Sequence, residues 1–533
     1  MATAEAVRGG LGPTLGRLRG RAKSLTILLA ILGIWELLAL TVFAGRFVLP
    51  APTSVVSTMV SDHFYWSDLE VTLGISWKGW LLGNAAALLL AGICLIAPIA
   101  EGGLMTLGVA TYCVPTIAIG PLLVVLYGAS GAKMVMSALS VFFITLVAAV
   151  TGLRAASPTT LEVVKVFGGG RWAQLRKVRV RASIPILASG LAISAPAAIL
   201  GTMIGDYLGG EHGLGVIMLQ AQQELAVNRT WAIAVTATLV CGLAFALTAA
   251  VARRLGADVD APLDSGMTRP RRRRSRPVAT GLTVVKVVGA TVFGLLVWEI
   301  LVRSSGLSDY FVKTPADVWH YAIDGPGATG HRQILLSNLG RTATDAGVGW
   351  LAGTVAAGLA AASITLFPSV GTAVMPFVIV MRSVPLIAMC PLIGLVFGRG
   401  LVGVTIIAGV VTFVPSLVTI VDGLRSAPAA ATDLIHCFGG VKRSALLKVR
   451  VPFSAPSLFA AAKISMPGAV LGSVLAEWLI TGHGLGYAMA YDVISSDYAD
   501  LWSSIAVILV VSLALYFVVG AIEGAVRDRV RGS

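Results

Sequence analysis

The 533-residue sequence predicts an all-α membrane protein of about twelve transmembrane helices, arranged as two parallel six-helix repeats. Three observations carry the prediction. The composition is 56% hydrophobic and only 12% charged, about half the charged fraction of a soluble domain, and the mean hydropathy is +0.86. Apolar runs of about 20 residues, long enough to cross a bilayer as helix, recur along the whole chain. The second half restates the first, residue type by residue type, at fixed separation. A soluble fold would need one very large core to bury this much apolar sequence, and large chains divide their cores instead.

The runs of the first half occupy residues 25–43, 71–97, 103–127, 134–153, 184–208 and 231–251, and those of the second half 282–302, 342–366, 371–397, 401–421, 455–480 and 502–522. Run 25–43 follows a basic tail and is not followed by a small-residue cleavage site, so it reads as a retained span rather than a signal peptide. The chain then divides into a basic tail (1–24), a first unit (25–251), a linker (252–281), a second unit (282–526) and a short tail (527–533). Glycine, proline and small residues punctuate the runs, which in a membrane lets helices approach closely and bend.

The positive charges set the orientation. Arg8, Arg17, Arg19, Arg21 and Lys23 lie in the N-terminal tail, and Arg154, Lys165, Arg171, Arg176, Lys177, Arg179 and Arg181 follow span four. Arg253, Arg254, Arg269, Arg271 to Arg274 and Arg276 lie in the linker, and Arg527, Arg529 and Arg531 at the C-terminus. An even number of spans puts all four on one side, which the positive-inside rule makes the cytoplasm. The opposite loops are neutral or acidic, with Asp62, Asp68 and Glu70 against Arg46, and Glu211 and Glu224 against Arg229. The net charge of +14 is therefore a topology signal rather than a nucleic-acid footprint. Anionic lipid headgroups are a second partner for the polybasic linker. Cys94, Cys113, Cys241, Cys390 and Cys437 show no CxxC or metal-ligand spacing, and all but Cys437 read as small packing residues within apolar runs.

The repeat is dense. Trp35-Glu36 returns as Trp298-Glu299, Pro52 as Pro315, Gly79-Trp80-Leu81 as Gly349-Trp350-Leu351, and Pro115 and Pro121 as Pro385 and Pro391. From Gly152 to Gly215, aligned without gaps on Gly423 to Gly486, about 26 of 64 positions are identical. Each unit has an even number of spans, so the units are parallel, related by an axis along the membrane normal, and the pathway lies between them. The linker, rich in Arg, Pro and Asp, has only to carry the chain from one unit to the next.

The connection after span four is about 30 residues long in each half, far longer than most, and reads as helix, glycine break, basic helix. In the first half Ser157-Pro158-Thr159-Thr160 opens a helix that runs through Phe167 into Gly168-Gly169-Gly170; the second half repeats this through Asp433 and Phe438 to Gly439-Gly440. A second helix begins at Trp172. A short amphipathic helix ending at glycine on a cytoplasmic face suits a groove on a partner protein. Phe167 and Phe438 are the natural occupants of that groove, and Glu162 and Asp433 are placed to fix the helix by capping or by pairing with a basic group.

On these residues the chain resembles the inner-membrane permeases of binding-protein-dependent ABC importers. Their cytoplasmic signature, an acid, small residues and then a glycine, is met by Glu162 with Gly168 and by Asp433 with Gly439, and the later apolar-proline pair by Val451-Pro452. The first half departs from it with Arg181 in place of that proline, and neither half has the two alanines after the acid. The resemblance covers nearly the whole chain outside tails and linker. It extends to permeases for nitrate, sulfonate, taurine and thiamine-precursor-type substrates through Trp-Glu in span one, the loop prolines Pro52 and Pro315, and the acid-to-GLG stretches Asp206–Gly215 and Glu477–Gly486. It implies a type I importer permease fold with two permease units fused in one chain. It also implies Glu162, Phe167, Gly168, Gly169, Asp433, Phe438, Gly439 and Gly440 as the ATPase-coupling residues. The implied partners are two ATP-binding-cassette subunits that hold ATP and Mg, an extracytoplasmic solute-binding protein, a small-molecule solute and membrane lipid. No nucleic acid is among them, and no cofactor is implied for this chain. No GxxxxGK[ST] phosphate loop occurs in the sequence, so no bond chemistry is expected of it. The implied location is the bacterial cytoplasmic membrane, multi-pass, with both termini inside.

Ionisable residues inside spans are functional candidates. Asp206 and Glu477 stand at equivalent positions near the outer end of span five, either capping the following loop or touching solute or binding protein. Pro115 and Pro385 punctuate span three and bend helices along the pathway. Glu36 and Glu299 read as packing residues, and His212 and His483 as turn residues. The runner-up reading, a twelve-helix secondary transporter of major-facilitator type, expects a basic cluster between spans two and three, where Pro98-Ile99-Ala100-Glu101-Gly102 stands instead. It also leaves the glycine-broken connections without a role.

Overall fold

The computed structural model describes residues 29–30, 32–44, 49–62, 64–96, 101–257, 294–304, 306–367 and 386–532, with single positions between. Their regular structure is helical, with no strand among the described residues. The first half comprises α1 (Pro52–Ser61), α2 (Phe64–Ile96), α3 (Glu101–Cys113), α4 (Thr116–Arg154), α5 (Pro158–Val166), α6 (Arg171–Leu208), α7 (Leu214–Gln223) and α8 (Val227–Arg254). The second comprises α9 (Pro315–Trp319), α10 (Ala328–Leu366), α11 (Leu386–Phe397), α12 (Leu401–Arg425), α13 (Ala429–Cys437), α14 (Lys442–Leu479), α15 (Gly484–Ser495) and α16 (Tyr498–Gly532). Eight of these, the even-numbered helices α2, α4, α6, α8, α10, α12, α14 and α16, are long and apolar enough to cross a bilayer. The expected spans 25–43, 282–302 and 371–397 are described only in part.

Span three is not the continuous helix expected over 103–127. It breaks at Val114 and Pro115, between α3 and α4, because proline has no N–H to donate and restricts the residue before it. A second break follows at Gly128, whose φ of 69° and ψ of 172° separate the first turns of α4 from its long arm. The segment between the breaks packs across the molecule: Ala118 and Leu122 join a core built from Leu335, Ala346, Ala469, Val470 and Met489 of the second half. In return Met389 of α11 packs on the first-half core of Tyr65, Met203, Leu214 and Met218. The two halves therefore interlock about the pseudo-twofold axis.

Within each half small residues let the helices close. A Cβ on Gly83 of α2 would stand 2.5 Å from the Ala138 carbonyl of α4, and one on Gly353 of α10 2.5 Å from the Gly409 carbonyl of α12. The repeat extends to polar side chains. Trp80 Nε1 donates to Ser194 Oγ at 3.0 Å, as Trp350 does to Ser465 at 3.0 Å. Trp35 reaches the Pro50 carbonyl at 3.0 Å, as Trp298 reaches that of Lys313 at 3.1 Å. Glu36 accepts from the Thr53 hydroxyl of α1 at 2.8 Å. The basic helix expected from Trp172 is continuous with span five: α6 and α14 each run through one π turn, Leu175–Arg179 and Leu446–Arg450, straight into the membrane.

Candidate functional site

Two constructions recur in both halves. The first is the pair of short helices α5 and α13, which follow span four in each half. Pro158 starts α5 at a position where its missing N–H costs nothing. Both helices end in the same hydrogen-bond pattern. Gly168 N–H donates to Lys165 O at 3.0 Å and Gly169 N–H to Val164 O at 2.8 Å; Gly439 donates to His436 O at 3.0 Å and Gly440 to Ile435 O at 2.8 Å. This is the Schellman closure, in which the residue after the cap turns left-handed. Gly168 and Gly439 have φ of 78° and 77°. A Cβ on either following glycine would press on the carbonyl of Val164 or Ile435 at 2.7 Å. The glycine pairs thus follow from the backbone alone.

That closure holds Phe167 and Phe438 at the helix caps, 86% and 85% exposed, with Val166 and Leu434 beside them. Gln174 at the start of α6 donates to the Leu161 carbonyl at 3.1 Å and fixes α5 against the basic helix. Glu162 and Asp433 do not cap their helices. The caps are Ser157 and Pro428, and both acids are exposed within the helices. The apolar face of each helix is therefore presented outward on a rigid, twice-built support.

The second construction is a clamp on the short helices α7 and α15, which follow span five. The first N–H groups of a helix have no partner inside it and carry the positive end of its dipole. In the first half Gly213 N–H donates to Asp68 Oδ1 at 2.8 Å, Leu214 N–H to Thr72 Oγ1 at 2.8 Å and Gly215 N–H to Asp206 Oδ2 at 3.1 Å. In the second, Leu485 N–H donates to Thr342 Oγ1 at 2.9 Å and Gly486 N–H to Glu477 Oε2 at 2.8 Å. The acid presses so close that a Cβ on Gly213 would meet its carboxylate oxygen at 2.5 Å. This explains the repeated His-Gly-Leu-Gly. Asp206 and Glu477, 2% and 0% exposed, hold the outer loop in place.

Four participants escape a reading of the sequence alone. Thr72 and Thr342 carry a signal, since they are repeat-related threonines. Lys133, just before the run 134–153, and Asp345, within the run 342–366, are lone charges whose repeat positions hold Val404 and Ile75. Lys133 Nζ lies 2.7 Å from Asp206 Oδ1 and donates to the His212 carbonyl at 2.7 Å. His212 and His483 stand 3.8 and 3.9 Å from Asp68 and Asp345. Pro115 is buried at the break that sends the start of α4 into the other half, where Ala118 and Leu122 share a core with Leu485. Pro385 lies outside the described residues.

Comparison with known proteins matches residues 83–257 and 353–532 to one family, the binding-protein-dependent transport system inner membrane components. A probable ABC transporter permease protein of Haemophilus influenzae is 31% identical over 212 residues, 39% of this chain and 86% of that protein. The formylaminopyrimidine transport permease protein ThiX of Halalkalibacterium halodurans is 28% identical over 194 residues, 36% of this chain and 75% of its own. The putative aliphatic sulfonates transport permease protein SsuC of Bacillus subtilis is 25% identical over 222 residues, 41% of this chain and 80% of its own. Each of these relatives spans about the length of one half.

Proposed function

The chain belongs to the binding-protein-dependent transport system inner membrane components, carrying that unit twice, and from this premise we propose that it forms the whole solute pathway of an ABC importer. It is a multi-pass membrane permease. Its two units supply in one polypeptide what two permease subunits supply elsewhere, and the path for a small-molecule solute runs along the pseudo-twofold axis between them. Separate ATPase subunits, one under each unit, bind ATP and Mg and receive α5 and α13. An extracytoplasmic binding protein delivers solute to the opposite face. Both termini and the linker lie on the ATPase side, where the Lys and Arg clusters stand.

The observation that carries the reading is the matched exposure of Phe167 and Phe438 on identically closed helices. No contact within the chain calls for an aromatic side chain there. Burial of one such ring in a partner groove contributes roughly 1.5–3 kcal/mol, about a 10- to 150-fold change in affinity. The double variant F167A/F438A is expected to lose ATPase association in a pull-down and to lose solute uptake, with an unchanged elution profile of the purified membrane protein. Wild-type association together with wild-type uptake in that variant would falsify the assignment.

A further inference from the structure

A ladder of polar side chains ties α2 to α4 and α6, and its counterpart on α10 is incomplete. Thr72, Ser76, Trp80 and Asn84 stand four residues apart, which puts them in one row along α2. Thr72 Oγ1 donates to Asp206 Oδ2 of α6 at 3.3 Å. Ser76 Oγ is hydrogen-bonded to Thr202 Oγ1 at 2.9 Å. Trp80 Nε1 donates to Ser194 Oγ at 3.0 Å, and Thr145 Oγ1 of α4 donates to Asn84 Oδ1 at 2.6 Å. The repeat positions on α10 hold Thr342, Ala346, Trp350 and Thr354. Thr342 donates to Glu477 at 2.8 Å and Trp350 to Ser465 at 3.0 Å, so the first and third rungs are kept. The second and fourth are lost. Ser473 stands at the position of Thr202, with Ala346 at that of Ser76. Thr354 and Ser416 stand at the positions of Asn84 and Thr145. The hydroxyls of Ser473, Thr354 and Ser416 are buried with no hydrogen-bond partner among the described residues.

The helices of the second half have not moved apart. A Cβ on Gly83 would lie 2.5 Å from the Ala138 carbonyl, and one on Gly353 2.5 Å from the Gly409 carbonyl, at repeat-related positions. The rungs fail because the side chains are shorter, with Ala in place of Ser, Ser in place of Thr and Thr in place of Asn. A buried hydroxyl without a partner is unfavourable. The packing of α10 on α12 and α14 is therefore held less firmly than that of α2 on α4 and α6. Glycine adds to the difference: α10 meets α12 through Gly349, Gly353 and Gly409, where the first half has Gly79, Gly83 and Ala138. A face without side chains has little to interdigitate, and small sliding of packed helices is one of the recurrent ways in which proteins move. The clamp differs in the same sense, since Lys133 lies 2.7 Å from Asp206 and its counterpart Val404 is apolar. We propose that the second half is the yielding half: α10 shifts against α12 and α14 when the pathway opens, and α2, pinned by the complete ladder, is the fixed frame. That a pathway opens here rests on the function proposed above, whereas the unequal hold on the two helices stands on the hydrogen bonds alone.

Amide hydrogen exchange of the full chain in lipid nanodiscs tests this, because elements that move are drawn from the less stable part of a fold. Residues 342–360 of α10 are expected to exchange about 10-fold faster than the repeat-related residues 72–90 of α2, as the loss of two buried hydrogen bonds implies. The variant A346S/S473T/T354N/S416T rebuilds both missing rungs with the side chains of the first half and should bring α10 to the rate of α2. The reverse variant S76A/T202S/N84T/T145S breaks the same rungs in the first half and should bring α2 to the rate of α10. Equal exchange of α2 and α10 in the wild type overturns the proposal. So does a difference that persists in both variants. Should the first variant not fold, the pairs A346S/S473T and T354N/S416T are each expected to close part of the gap. Failure of all three to fold also overturns the proposal, since the second half would then have no room for a rung. The measurement uses no ATPase, so its outcome is separate from that of the pull-down with F167A/F438A.

Discussion

The loops after span five are held in the two halves by the same backbone geometry and beside different charges. Thr72 and Thr342 accept from Leu214 and Leu485 at 2.8 and 2.9 Å, and Asp206 and Glu477 accept from Gly215 and Gly486 at 3.1 and 2.8 Å. Beside these matched bonds stand Lys133 in one half, on Asp206, and a buried Asp345 in the other, one turn after Thr342 and 3.9 Å from His483. The hydrogen bonds to a helix N-terminus require an acceptor at a set place, and the repeat preserves it. How the acceptor's charge is balanced has more than one solution, and the halves have diverged there. The short helices after span four show the reverse: α5 and α13 differ in most of their residues, yet both close with hydrogen bonds of 3.0 and 2.8 Å. Divergence is permitted wherever a side chain is replaceable and excluded wherever the backbone itself makes the contact.

The sharpest way to break this comparison is to remove the cation. K133M leaves Asp206, 2% exposed, without a counter-charge, and loss of one partner of a buried pair costs about 3–5 kcal/mol. Denaturation in detergent should show that loss, and the double variant K133M/D206N should recover part of it. If K133M is as stable as wild type, the first clamp does not depend on its ion pair.

The helices α5 and α13 should behave symmetrically where the loops after span five do not. Because Phe167 and Phe438 are 86% and 85% exposed on identical closures, F167A and F438A are each expected to weaken ATPase association by a similar factor, about 10-fold or more. A loss confined to one of them, read by titration of the purified ATPase, would mean that the two docking faces are not equivalent.

The smallest expected effect belongs to Asp492, at the end of α15 and outside the spans, where the repeat position in the first half is Ala221. Asp492 is 5% exposed. Burial, with Asp500 and Asp497 nearby, pushes its carboxyl up to about 8 from 3.8. The folded state thus keeps a proton that the unfolded chain releases, so this site's contribution to stability is full below the unfolded value of 3.8 and is lost as pH rises through about 8. D492N should raise the melting midpoint by a few degrees at pH 8 and by less at pH 5. An equal gain at both pH values would show that the carboxyl does not titrate in that window.

The fold class, the repeat and the glycine-closed helices after span four are legible in the sequence because each rests on a local rule. A bilayer asks for about 20 apolar residues per helix, and a helix that stops at Phe-Gly-Gly announces its closure. Asp206 and Glu477 are legible as a repeat-related pair, though not what they hold. The break at Pro115 is readable as an irregularity, whereas its consequence, Ala118 and Leu122 buried in the opposite half, is not, because proline dictates where a helix stops and not what the freed segment packs against. Lys133 and Asp345 mark the limit. Lys133 is 73 residues from Asp206 and Asp345 is 138 from His483, and no periodicity within one span can pair either with a group on another segment. By itself the sequence determined the fold class, how many times the plan is repeated and which backbone turns demand glycine. Only the tertiary structure decided which charges meet, since in a low-dielectric interior the energy of an ionisable group depends on neighbours a few ångströms away in space, wherever they stand in the chain.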